Sequence, residues 1–483
     1  MVPMIPLGAV IQELKESSNR RGLNLQLPCD GHYQPGDLRW AFGYDMRTSW
    51  WALVEFRWLE TLAATGQMPV MTGTLLTPNL LRRVFEKTHT ARVTRRERGT
   101  PTNPGTGHDV LALLACMRQA LPRELHQYLH LDLTSYDTIS TAYALQMREA
   151  FEETFYVKAG EVDQRWRSLI AEYAEVVQIG RTHLQYALPI TVGCWLAQLR
   201  NRFAASVREA RKLSRAIPGK ASGAVGTSAA LRHHFGTNDL EVGLLNSLRL
   251  PRPLQSTQIT PPEAFVRFLG EIVLTSGSLA NLGEDVRLLQ SSDIGELTSI
   301  GSTSSTMAHK TGNPVAAENM AGMHGSVLGA YTMVLGTLVS DLQRDLRGSS
   351  VMRGFGGVLC YTYQQLLTAD RLLKSLRVNE ARCTENLQKA GPCVTAELLY
   401  VSLLHAGFAN AHTLVNKVIV PAARATGCDL VVATDTVIKQ TRNRRLRAAW
   451  TLVPEETRRQ IASPRDYLGD AVKLAVRTAH DQL

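Results

Sequence analysis

No residue between Glu318 and Asp341 carries a formal charge. That stretch, NMAGMHGSVLGAYTMVLGTLVS, is long enough to span a membrane, but it is rich in Gly, Ser and Thr and contains His324. A helix apolar on every side needs burial on every side, in a bilayer or at the centre of a helical bundle. The rest of the chain favours the bundle. TSWWALVEFRWLETLAATG (48–66) sets Trp51, Val54, Trp58, Leu59 and Leu62 at helical spacings and stops on Gly66, a C-terminal cap signal. The segments 138–155, 264–290 and 315–343 are predicted as further long helices, and strand-type alternation is scarce. The expected class is all-α, with three helical domains and a long central bundle.

With 483 residues, 44% of them apolar and 20% charged, the chain has enough material for several cores. Connections rich in Gly, Pro, Ser and Thr fall at 96–108, 218–230, 249–263 and 291–314. They suit an N-terminal extension (1–38), an N-terminal helical domain (39–135), a central bundle domain (136–368) and a C-terminal helical domain (369–483). Seven scattered cysteines without a C-x-x-C pair indicate neither a disulfide framework nor a zinc site. A reducing compartment, the cytoplasm, is expected, and the start lacks the basic and apolar regions of a signal peptide. The net charge is +10, with basic runs at 91–99 and 441–449. No aromatics interleave these runs as a stacking platform for bases would require. They read as solvated helix faces on a protein with an anionic small-molecule ligand, without a nucleic-acid or membrane partner.

Four polar segments adjoin the long helices. TGHDVLALL sets His108 at a helix start, and HLDLTSYDT sets His130, Thr134 and Ser135 before the helix at 138. GRTHLQYALP carries Thr182, His183 and Gln185, and GSTSSTMAHKTGNP (301–314) has too few apolar groups to order itself. Taken singly, each has a bland reading: Thr134, Ser135 or Asp137 as an N-cap, the histidines as structural, Lys310 as a solvated lysine.

In this order, however, the segments resemble those of the fumarase/aspartase superfamily, and within it the adenylosuccinate lyases. TSSTMAHKTGNPVAAEN is similar to the signature G-S-S-x-M-P-x-K-x-N-P. LHLDLTSYDT resembles H-x-G-L-T-S-x-D, and GRTHLQYALPITVG resembles G-R-T-H-G-Q-x-A-x-P-T-T-x-G. GKASGAVGT, STQI and LQRDLRGSSVMR (342–353) extend the likeness, which covers roughly residues 40–480. The resemblance implies a homotetramer whose central helices share one bundle, with each site drawn from three chains and no metal or other cofactor. It implies β-elimination of fumarate from a succinylated amine, adenylosuccinate to AMP and SAICAR to AICAR. Ser304 would be the base, His183 the acid, and Glu318 the group orienting His183. Lys310 and Asn313 would hold the carboxylate that becomes a dianion, in a site where preorganised donors stabilise that charge. His108, Thr134, Ser135, Thr182, Gln258 and Asn319 would contact the succinyl part. Arg344, Ser349 and Arg353 would contact the nucleotide and its phosphate.

The signature is altered: Thr303 and Ala308 stand for its Gly and Pro, and one more residue separates Lys310 from Asn313. Two other readings accompany the first. One is a superfamily lyase releasing fumarate from a nitro-, amino- or amidino-succinate; the other is a catalytically silent homologue, against which Ser304, His183 and Lys310 argue.

Overall fold

The computed structural model describes residues 4–21, 33–299, 312–344 and 347–483. Helices dominate, and the described strands form only three two-stranded antiparallel pairs. The chain divides into two compact units, each made of three separated segments. Unit one comprises Met1–Gly160, Ala204–Ala280 and Gly322–Leu367; unit two comprises Glu161–Phe203, Asn281–Ala321 and Thr368–Leu483.

In unit one, α1 (Arg47–Ala64) is the helix expected over 48–66. Its spacing reads as amphipathic, yet every residue from Thr48 to Ala63 is buried. Some of its polar groups have internal partners: Arg57 donates to the Ile5 carbonyl (2.7 Å) and to Glu60 (2.9 Å). The Trp50 and Trp58 indoles donate to the carbonyls of Ala41 and Leu131. The helix stops where Gly66 takes φ +77°, letting the Gln67 amide turn back onto the Leu62 carbonyl at 2.8 Å. Next come α2 (Asp109–Arg118) and α3 (Ser135–Ala150). Helix α3 widens into a π turn at Phe151–Phe155 and continues as α4 (Tyr156–Glu172). At that turn Phe151 stacks on Phe155, and Phe268 meets Phe151 edge-on, both at 5.3 Å.

Unit two contains a hairpin that the scarce alternation did not announce. Strands β1 (Val177–Thr182) and β2 (Gln185–Thr191) pair antiparallel, with Thr182 opposite Gln185. His183 and Leu184 alone make the turn, at φ 53° and 59°. Positive φ at both turn residues matches the right-handed twist of a hairpin, although neither is the usual Asn or Gly. The register shifts between Ile179 and Arg181, where a Cβ on Gly180 would come within 2.6 Å of the Leu188 carbonyl oxygen.

Further helices are α5 (Val192–Ser214), α6 (Glu263–Leu289), α7 (Val315–Leu335) and α8 (Phe355–Ser375). Helix α7 stops earlier than the predicted 343, passing into a 3₁₀ turn at Gly336–Leu338. It buries one stripe, including Met320, Val327 and Val334, and leaves the other side open, with Leu328 45% and Met333 48% exposed. Among the described residues no helix is long and apolar enough to cross a membrane.

Candidate active site

Unit one gathers one group of the predicted residues around the start and inner face of α3. Thr134 caps the helix, its amide donating to Asp137 Oδ2 at 2.8 Å, and Ser135 opens the first turn. Asp137 is completely buried and ion-paired with the equally buried Lys220. The Lys220 ammonium also donates to the Gly223 carbonyl, and the Gly223 amide donates to Asp137. These bonds fasten the GKASG loop to the end of α3 that carries Thr134 and Ser135.

Arg344 lies over Tyr136, its Cζ 3.3 Å from the ring centroid. The amide of Gln258 donates to the carbonyl of the adjacent Gln343 (3.1 Å), which brings Gln258 beside Arg344. His108 caps α2, its Nδ1 accepting from the Val110 amide at 3.2 Å, so a neutral ring carries its proton on Nε2. The next residue, Asp109, stands 3.9 Å from Arg353. Ser349 is half-buried in the short helix Arg347–Val351. His108, Thr134, Ser135, Gln258, Arg344, Ser349 and Arg353 thus all belong to unit one.

His130, at φ 62°, completes this group. Its Nδ1 is 2.7 Å from Glu55 Oε1, which also accepts from Thr138 Oγ1 at 2.5 Å. Glu55 is fully buried. Burial opposes charge on the imidazole, but the charge and hydrogen bond of Glu55, with the more distant Asp137, outweigh it and raise the His130 pKa. The protonated ring is the form the fold favours. A raised pKa contributes stability in full below the unfolded value, about 6.5, and loses it as pH climbs through the folded value. The stability of the wild type relative to His130→Gln is therefore expected to be greatest near pH 6 and to shrink at higher pH. Denaturant titrations at several pH values check this; parallel curves for the two proteins would remove the Glu55–His130 coupling.

Unit two holds the remaining described residues: Thr182, His183, Asn313, Glu318 and Asn319. Thr182 and His183 sit exposed at the hairpin tip. Near the tip, β1 is clamped where Arg181 makes two bonds to the buried Glu296, at 2.7 and 3.0 Å, and Asn386 adds a third at 2.8 Å. Asn313 precedes α7, Glu318 lies in its first turn and Asn319 follows. Among the described residues, no hydrogen bond within the chain joins His183 to Glu318. Ser304 and Lys310 lie outside the described residues.

Glu55 and Arg47 gave no local signal in the sequence. Each occupies a position on α1 where a polar residue reads as solvent-facing, and only the burial of Glu55 and of the Arg47 Nε singles them out.

Comparison with known proteins identifies the class to which this helical fold belongs. A family profile described as Lyase matches residues 83–329. Adenylosuccinate lyase of Archaeoglobus fulgidus is 28% identical over 400 residues, 78% of this chain and 83% of that protein. The adenylosuccinate lyase of Pyrococcus horikoshii is 30% identical over 349 residues, 68% of this chain and 74% of its own. A crystal structure of a fumarate lyase from Mesorhizobium sp. BNC1 shares the fold, with a TM-score of 0.75 at 22% identity, covering 94% of this chain and all of that one. The chain belongs to this lyase family, in the fumarase/aspartase superfamily.

Proposed function

We propose that the protein is a carbon–nitrogen lyase that releases fumarate by β-elimination from a succinylated purine nucleotide, with adenylosuccinate as its substrate. Ser304 removes the Cβ proton, the adjacent carboxylate takes up the charge as an enolate-like dianion, and His183 protonates the leaving nitrogen as the C–N bond breaks. Lys310 and Asn313 hold that carboxylate, and Glu318 orients His183. His108, Thr134, Ser135, Thr182, Gln258 and Asn319 hold the succinyl part; Arg344, Ser349 and Arg353 hold the nucleotide. The observation that carries this reading is the stacking of Arg344 on Tyr136, the residue next to Ser135 at the start of α3. Forked guanidinium donors next to hydroxyls at a helix start suit an anionic substrate.

The division of residues between units fits a site shared among subunits, and the open apolar side of α7 fits a central bundle formed with other copies. An unaccompanied chain would leave Leu328, Met333 and Leu335 in water. The enzyme is accordingly a homotetramer. The test is incubation with adenylosuccinate, followed by absorbance, using protein whose mass by light scattering is that of four 53.3 kDa chains. AMP and fumarate are the expected products. Fumarate from a different succinyl adduct, with adenylosuccinate untouched, would transfer the assignment to the non-nucleotide reading.

A further inference from the structure

Tyr136 and Tyr143 lie seven residues apart on α3 and so share one face of the helix, separated by about 10 Å. Arg344 covers Tyr136. At the other end, Arg47 and Arg353 line one small pocket together with Tyr143 and Gln146. Burial pushes the Tyr143 hydroxyl up to about 12 despite the pull of Arg47 and Arg353, so it remains a protonated donor.

Two guanidinium groups facing one pocket repel each other. The Arg47 pKa is lowered first by burial and next by the charge of Arg353, with Tyr143 and Asp109 opposing only in part. Asp109 stands 3.9 Å from Arg353, and its Oδ1 already accepts from the α2 amide. Arg47 Nε is buried and has no hydrogen-bond partner among the described residues. Its guanidinium rests instead against the Trp51 ring, 5.5 Å from the centroid. A buried donor without an acceptor and a pair of like charges only partly compensated are both relieved by the same thing: an anion with several oxygens. A tetrahedral dianion presents three oxygens and two charges, enough for both guanidinium groups and the tyrosine hydroxyl. A carboxylate has only two oxygens and one charge.

We propose that Arg47, assisted by Tyr143, determines specificity by completing with Arg353 the pocket that receives the substrate's phosphate group. The proposal rests on the phosphate-bearing substrate read above and adds two residues to its recognition. Arg47 sits at the first position of α1, whose buried length gives it a fixed anchor.

The experiment measures inorganic phosphate binding by calorimetry, and adenylosuccinate kinetics, for wild type, Arg47→Met, Arg47→Lys and Tyr143→Phe. Arg47→Met is expected to weaken phosphate binding by about 10–100-fold, the range for one charged hydrogen-bonding partner. It is expected to raise KM for adenylosuccinate by a similar factor while kcat falls far less, and Arg47→Lys recovers part of the loss. Binding of fumarate, the carboxylate probe, stays near the wild-type value. Tyr143→Phe, which removes only a hydroxyl, weakens phosphate binding by a smaller factor and serves should Arg47→Met fail to fold. Phosphate binding as in wild type by either folded variant overturns the proposal, as does equal weakening of phosphate and fumarate. The two readings separate cleanly. Arg47-dependent phosphate binding without adenylosuccinate turnover leaves the pocket and removes the substrate, whereas normal turnover with phosphate binding indifferent to Arg47 removes the pocket alone.

Discussion

Replacing His183 by Asn is expected to lower kcat by about 10²–10⁴-fold, the range for loss of a positioned general acid. Asn is the better choice than Ala because position 183 has φ 53°, a conformation Asn tolerates and Ala resists. The hairpin thus keeps its shape while the ring is lost, and the exposed position makes little difference to stability. The chemistry predicts a further signature. An acid matters least when the departing nitrogen is already a good leaving group, so an adduct of a more acidic amine should lose less in His183→Asn than adenylosuccinate does. Ser304→Ala, which removes the proposed base, should impair both substrates alike. Steady-state kinetics with the two substrates decides. Near-normal turnover in His183→Asn ends its assignment as the acid, and near-normal turnover in Ser304→Ala ends that of the base.

Lys220→Met should destabilise unit one by about 3–5 kcal/mol, the usual cost of stripping the partner from a buried charge. Asp137 would then be fully buried and negative, with only the amides of Thr134 and Gly223 left to it. The double variant Lys220→Met/Asp137→Asn removes the stranded charge and should regain much of the loss, although it weakens the cap on α3. Denaturant midpoints of the three proteins measure this. A loss under about 1 kcal/mol in the single variant would mean that the pair is not coupled as the geometry requires. Lys220 also lies in one of the segments that carry the family resemblance, and its complete burial gives it a structural task there: holding the GKASG loop against the helix that presents Thr134 and Ser135.

Legibility in the sequence followed the physics of each element. Helix α1 could be read because Trp51, Val54, Trp58 and Leu62 repeat at the helical period and Gly66 provides the left-handed stop. Its total burial could not, since Glu55, Arg57 and Glu60 look like a wet face until their partners are known. Helix α7 was visible from its missing charges, but Gly336 and the residues after it end the helix sooner than hydropathy alone indicates. The hairpin beneath His183 was hidden because its turn is His-Leu, whose positive φ values no local glycine advertises. Ordered motifs identified the family and a list of candidate residues. The cluster of Arg47, Arg353 and Tyr143 depends on residues 47, 143 and 353 meeting in space, which no pattern along the chain encodes.

The interleaving of the two units also bears on how the protein is made. Neither unit exists in any continuous stretch of the chain, because each returns to collect segments that the other separates. At a synthesis rate of about 5–20 residues per second, the first 160 residues are complete about 10–40 seconds before Gly322–Leu367, with which they pack. During that interval Phe42 lacks the Gly356 backbone it packs against and α1 awaits the helix Asp239–Ser247, so the nascent chain exposes apolar surface that a cell's chaperones have to guard.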